Sequence, residues 1–291
     1  ANQKMQTLWT DMKSSEEQTP NKVIVPAFMS VCVIASLIIL IRRYIKKKKD
    51  NSRLMLVGFG EDKEKLKNLV RFFLNVKRVS GWSLGTWLKN FRYNFFCEQV
   101  KGNVLEGKYF IINKYCTIVL ESKAQLILNA PFYFGNKRIK GSRLDSRLLI
   151  ESGGRMEIKY GSYNVAYGAD IEVFQNAILE IGGELGANIG LTIICADHIS
   201  IGQHTGCGRN VTIRDNNGEH FISIRGYKTS SPVTIKEHVW LTESCTVMPG
   251  AVIEPGAIIS ARSVVSGHIP AFSIVKGDPA VVVEKNIVWK G

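Results

Sequence analysis

Residues 233–265 read VTIKEHVWLTESCTVMPGAVIEPGAIISARSVV. An apolar residue returns at every sixth position: Ile235, Leu241, Val247, Ile253, Ile259 and Val265. Four positions after each of the first five stands a second residue of buried type, namely Val239, Cys245, Ala251, Ala257 and Ser263. An earlier run keeps the same period at Ile189, Cys195, Ile201, Cys207 and Ile213, with Ile193, Ile199, Thr205 and Val211 in the fourth place. Neither the 3.6-residue period of a helix nor the alternation of a hairpin strand produces a repeat of six. Short strands stacked coil on coil do, so the pattern predicts a parallel β-helix.

From residue 101 to 285 the chain is strand-like, with short β-branched segments between Gly, Asn and Ser. Residues 214–232 interrupt the repeats. This segment is too polar and too long for one rung, and it reads as a loop thrown out of the solenoid; such loops often form a binding face. Upstream, residues 23–41 (VIVPAFMSVCVIASLIILI) carry no charge and approach the roughly 20 apolar residues that span a bilayer. Arg42, Arg43 and Lys46 to Lys49 follow at once. The expectation is a polar tail (1–22), a membrane span (23–41) with its basic flank in the cytoplasm, and a lead-in over 42–100. The chain starts at Ala1, and Met55 opens a stretch that could itself begin a soluble cytoplasmic enzyme. Residues 61–80 place Leu66, Leu69, Val70, Phe73 and Val76 at helical spacing, for a short basic amphipathic helix that either lies on the membrane or caps the open end of the solenoid. Residues 286–291 form a short tail.

The formal charge is +13, of which residues 42–80 supply 13 Lys and Arg against 4 Asp and Glu. Cations beside an apolar run mark a membrane flank more often than a nucleic-acid site, and no zinc-finger or RNA-binding motif accompanies them. No nucleic-acid partner is expected. None of the six cysteines forms a CxxC pair, and Cys195, Cys207 and Cys245 fall at inward repeat positions, where cysteine serves as a small hydrophobe. His198 and His204 lie on successive hexads that point different ways, so no set of three histidines converges on a metal and none is expected. His220 differs from the rest. It sits in the inserted loop, with no core to fill and a side chain suited to general-base chemistry.

The stretch from Val233 onward closely resembles the C-terminal half of the hexapeptide-repeat acyltransferases, in particular the O-acetyltransferases of bacterial capsule, exopolysaccharide and lipopolysaccharide assembly. The likeness rests on Trp240 in HVW, Met248-Pro249-Gly250, Ser260-Ala261-Arg262-Ser263-Val264-Val265 and Gly277-Asp278-Pro279-Ala280, with GRNVTIRDNNGEH and the earlier NFRYNFF in support. The resemblance implies a left-handed triangular β-helix, a homotrimer with active sites between subunits, and acetyl-CoA as donor. His220 matches the base that takes the proton from a sugar hydroxyl, with no covalent intermediate. Asp215 or Glu219 would orient its imidazole, and Asp215 matches the acidic position better. The oxyanion would be held by backbone N–H groups or by Asn210, which reads equally well as a corner residue. Trp240 and Asn217 are candidates for the sugar, although Trp240 serves equally well in a trimer interface. Ser260, Ala261 and Ser263 match the ridge that carries coenzyme A. Arg262, Lys276 and Lys285 are candidates for its phosphates, each reading also as a solvated surface charge.

The expected activity is acetyl transfer to a hydroxyl of a cell-surface polysaccharide or its lipid-linked precursor. The rivals are a serine-type or amino-sugar N-acetyltransferase of the same fold and a non-catalytic β-helix scaffold. A nucleotidyltransferase is disfavoured, because no Gly-rich nucleotide-binding domain precedes the repeats.

Overall fold

The computed structural model describes residues 58–290 apart from Trp82, Leu185, 219–222 and Ile224. The expected membrane span (23–41), its basic flank and His220 lie outside the described residues. Among the described residues, no helix is long and apolar enough to cross a membrane. The β-structure lies within one compact unit, Lys63–Gly291.

That β-structure is a three-faced solenoid of parallel sheets. Each coil passes through face one (eight strands, from Val100–Lys101 to His268–Ile269), face two (nine strands, from Phe110–Ile112 to Ala280–Lys285) and face three (seven strands, from Cys116–Leu120 to Val264–Val265). Like residues stack on like. Ile201, Ile235, Ile253 and Ile269 are in register on face one. Cys207, Leu241, Ile259 and Val275 form the ladder of face two, and Ile193, Ile213, Val247 and Val265 that of face three. All twelve are buried. Each large aliphatic side chain so removed from water contributes about 1.5–3 kcal/mol. The final strand of face two, Ala280–Lys285, turns back antiparallel on Ser273–Gly277 and ends the solenoid.

The later run behaves as its period implies: Trp240 pairs with Ile258 and Thr246 with Val264, eighteen residues on. The earlier run does not. There Ala187 pairs with Cys207 and Ile193 with Ile213, twenty residues on. The stacked inward residue of that coil is Ala187, and Ile189 stands half-exposed at the corner. Adjacent coils approach so closely that side chains are excluded in places. A Cβ on Gly202 would lie 2.4 Å from the Glu237 nitrogen, and one on Gly208 2.8 Å from that of Glu243.

Two helices, α1 (Gly58–Ser80) and α2 (Leu84–Phe95), precede the strands. The α2 helix caps the first coil with its polar side chains. Asn90 donates to the Ile112 carbonyl (2.8 Å) and accepts from the Ile112 N–H (2.9 Å). Asn94 does the same for Phe110, at 2.7 and 2.8 Å. Tyr93 donates to the Ile118 carbonyl and Lys89 to that of Cys116. The helix thus replaces the coil that an exposed edge would otherwise recruit. The α1 helix packs alongside through Leu69, Phe72, Phe73 and Val76, with Phe72 in edge contact with Phe95 and Tyr109. The apolar face expected from spacing is therefore rotated: Phe72 joins it, while Leu66 and Val70 remain exposed.

Candidate functional site

Face two carries an open groove of about 810 Å³. Its floor is a column of outward residues in register: Gly186, Gly206, Trp240, Ile258 and Ile274. The groove exists because the two positions before Trp240 in this column lack side chains. A Cβ on Gly186 would meet nothing within 4 Å, and one on Gly206 only the Trp240 ring at 3.9 Å. Asn188, Arg209, Thr242, Glu243 and Ser260, with Ala261 among them, supply a mostly polar rim along the edge between faces two and three. An apolar floor with a polar rim suits an extended ligand that has an apolar arm and polar ends. Trp240 is 43 % exposed. Trp289, returning from the C-terminal tail, lies 5.7 Å from it, stacks on the His238 ring at 4.0 Å, and donates to the Gly256 carbonyl.

Of the sequence candidates, the groove gathers Trp240, Ser260 and Ala261. Ser263 points inward, fully buried, and its hydroxyl accepts the Gly277 N–H at 3.1 Å, so its side chain is withdrawn from any surface ridge. Asn210 and Arg262 occupy the corner between faces two and three, one coil apart from Gly190 and Ser244 in the same column, with φ of +53° and +59°. Each is an exposed corner residue in left-handed conformation. Lys276 follows Ile274 on the outward side of its strand, and Lys285 ends the antiparallel hairpin; both are exposed.

The inserted loop leaves from a different edge, between faces three and one. Its neck is tight. Asn216 bridges Ser230, Asn217 donates to the Thr229 carbonyl at 3.1 Å, and Ser231 donates to the Asp215 carbonyl at 2.8 Å. Asp215 is fully buried. Its side-chain oxygens accept the N–H groups of Ala196 (2.7 Å) and Asp197 (2.8 Å) and the Asn216 side-chain amide (3.1 Å). The Cys195 thiol beside it is raised well above its usual range, first by burial and then by the Asp215 charge. Asp215 thus locks the neck to the preceding coil. Within one chain, the neck and the groove stand at opposite margins of face three.

The other histidines each have a local partner. His198 meets Glu180 at 3.2 Å, His204 meets Glu184 at 2.9 Å, and His268 meets Glu254 at 3.3 Å. Among the described residues, no group of three or more His, Cys, Asp or Glu side chains is placed to share a metal ion. Sequence reasoning missed Gly186, Gly206 and Trp289. The signal for the first two was available, since both occupy, in successive coils, the outward place that Trp240 holds in the coil after them.

A three-faced solenoid of parallel strands interrupted by one long polar loop has the form expected of the hexapeptide-repeat acyltransferases, which the chain resembles. Its curated relatives are enzymes of the acyltransferase class. WbbJ of Escherichia coli K12, named for O-acetyl transfer in lipopolysaccharide biosynthesis, is 28 % identical over 140 residues, covering 44 % of this chain and 71 % of its own. A galactoside O-acetyltransferase of Lactococcus lactis is 33 % identical over 111 residues, covering 37 % of this chain and 53 % of its own. A polysialic acid O-acetyltransferase of Escherichia coli O1:K1 is 30 % identical over 95 residues, or 32 % of this chain and 31 % of its own. The solved polySia-specific acetyltransferase NeuO aligns with a TM-score of 0.45 at 19 % identity, covering 66 % of this chain and 82 % of its own. No protein-family profile matches the chain.

Proposed function

We propose that the protein transfers an acetyl group from acetyl-CoA to a sugar hydroxyl of a cell-surface polysaccharide or its lipid-linked precursor. The groove beside Trp240 carries this reading, and the shared O-acetyltransferase naming of the relatives supports it. The pantetheine arm would lie on the apolar floor, with Ser260 and Ala261 at the rim and Arg262, Lys276 and Lys285 toward the phosphates. His220 would take the proton of the attacking hydroxyl as the oxygen adds to the thioester carbonyl. The C–S bond then breaks and the imidazolium returns the proton to the leaving thiolate. Because the loop neck and the groove lie at different edges, the loop of one copy would complete the groove of the next, in a trimer. The segment 23–41 would hold this assembly at the cytoplasmic side of a membrane.

Thiol release from acetyl-CoA in the presence of oligosaccharide acceptors tests the proposal. Acceptor-dependent release should fall at least a hundredfold in His220→Ala. Unchanged release in the variant would remove His220 from its role, and absence of coenzyme A binding would leave the chain a scaffold.

A further inference from the structure

A second pocket, of about 690 Å³, lies between the C-terminal end of α1 and the excursion that follows the strand Phe132–Asn136 of face two. Six cations line it: Arg78, Lys114, Lys137, Arg138, Lys140 and Arg143. The lining contains no carboxylate, and none of the six forms an ion pair among the described residues. The neighbouring Asp145 accepts from Thr117 at 3.3 Å and is not part of the lining. Like charges gathered in one concavity repel each other, and a fold that keeps them there holds them ready for an anion.

Arg138 adds an independent observation. Its guanidinium lies between the rings of Tyr115 (5.3 Å) and Tyr167 (5.2 Å), which fixes it in place. Nη1 donates to the Ser142 and Leu144 carbonyls, but Nε and Nη2 are buried with no acceptor. Buried guanidinium donors almost always find one. The surrounding field is felt by Tyr115, whose phenol is lowered from its usual range, chiefly by its hydrogen bond to Lys114 and further by the charges of Lys114, Arg143 and Arg138.

We infer that this pocket binds a pyrophosphoryl group. A lone carboxylate needs one guanidinium, whereas several converging cations with forked donors match a compact group bearing two or more charges. The position is informative too. Tyr167 donates to the Asn136 carbonyl, Gly190 to that of Tyr167, and Asn210 to that of Ile189, so the pocket opens on the prism edge that leads to Arg209 and the groove. Three coils at about 4.8 Å each put Arg209 roughly 14 Å from the pocket, and Asn188 of the groove is one coil nearer. An acceptor anchored by its pyrophosphate would extend its sugars along that edge. This link rests on the acyl-transfer reading; the anion site does not.

Binding of radiolabelled inorganic pyrophosphate to the full chain, at fixed ionic strength and against sulfate, is the test. Lys140 and Arg143 are exposed and make no hydrogen bond that the fold needs, so the double variant Lys140→Glu/Arg143→Glu should fold normally and raise the Kd at least tenfold. Lys101→Glu/Lys290→Glu, with the same change in net charge outside the lining, should leave it unchanged. Displacement by geranyl pyrophosphate would assign the site to a lipid-linked donor of the group, and displacement by a nucleotide sugar alone to a soluble one. Equal binding by wild type and the Lys140/Arg143 variant, or wild-type affinity no greater than for sulfate, overturns the inference. Pyrophosphate binding that persists where no thiol release is seen would sink the acyl-transfer reading and spare this one.

Discussion

Asp215 is a candidate for orienting the base in sequence, and its described contacts are structural. Its acidic character beside a candidate base invited an orienting role, yet its oxygens already serve two backbone amides of the coil below. Buried N–H groups left without an acceptor cost about 1–3 kcal/mol each. Asp215→Ala should therefore lower the unfolding free energy by at least about 2 kcal/mol, read from the urea midpoint. Asp215→Asn should fall between, because one amide would then face an –NH2. If both variants keep wild-type stability and lose only turnover, the residue acts on the imidazole and not on the neck.

At the scale of elements, the cap is the feature that departs most from pattern. Asn90 and Asn94, one helical turn apart, offer the edge strand Phe110–Ile112 the donors and acceptors of a neighbouring strand. Asn90→Ala should orphan both polar groups of Ile112 and destabilise by about 2–4 kcal/mol. Hydrogen exchange should rise first at Phe110–Ile112, whereas uniform exchange along the solenoid would argue against a local cap. The later coils were legible because eighteen residues per turn keep the period of six intact from Ile235 to Val265. The coil containing Ala187 was not, since two additional residues shift the register and bring a small side chain to the place a larger one seemed to hold. The cap was illegible for another reason: a pair of asparagines on a helix reads as a solvated face until the strand edge it meets is known. For α1 the spacing gave the helix but not its orientation, which Phe91 and Phe95 of α2 decide by drawing Phe72 inward.

For the whole molecule, the decisive fact is that the groove and the loop neck occupy opposite margins of face three. A single solenoid is rigid along its ladders, so it cannot fold one margin onto the other. If the loop carries the base and the groove carries the donor, a productive site draws on two copies. Gly206→Val would fill the groove beside Trp240 at a position where a Cβ meets nothing closer than 3.9 Å, and so block the site without disturbing the coil. That variant alone, and His220→Ala alone, should each be inactive in thiol release. Refolded or co-expressed together, they should regain a measurable share of wild-type turnover, because mixed assemblies contain junctions that join an intact loop to an intact groove. The recovered activity should rise and then fall with the mixing ratio, peaking near equal amounts. Failure of the mixture to exceed the sum of the separate variants, with mixed oligomers demonstrated by tag pull-down, would place loop and groove of the same chain in one site. The edge geometry of the single prism would then have to yield to a loop long enough to cross face three.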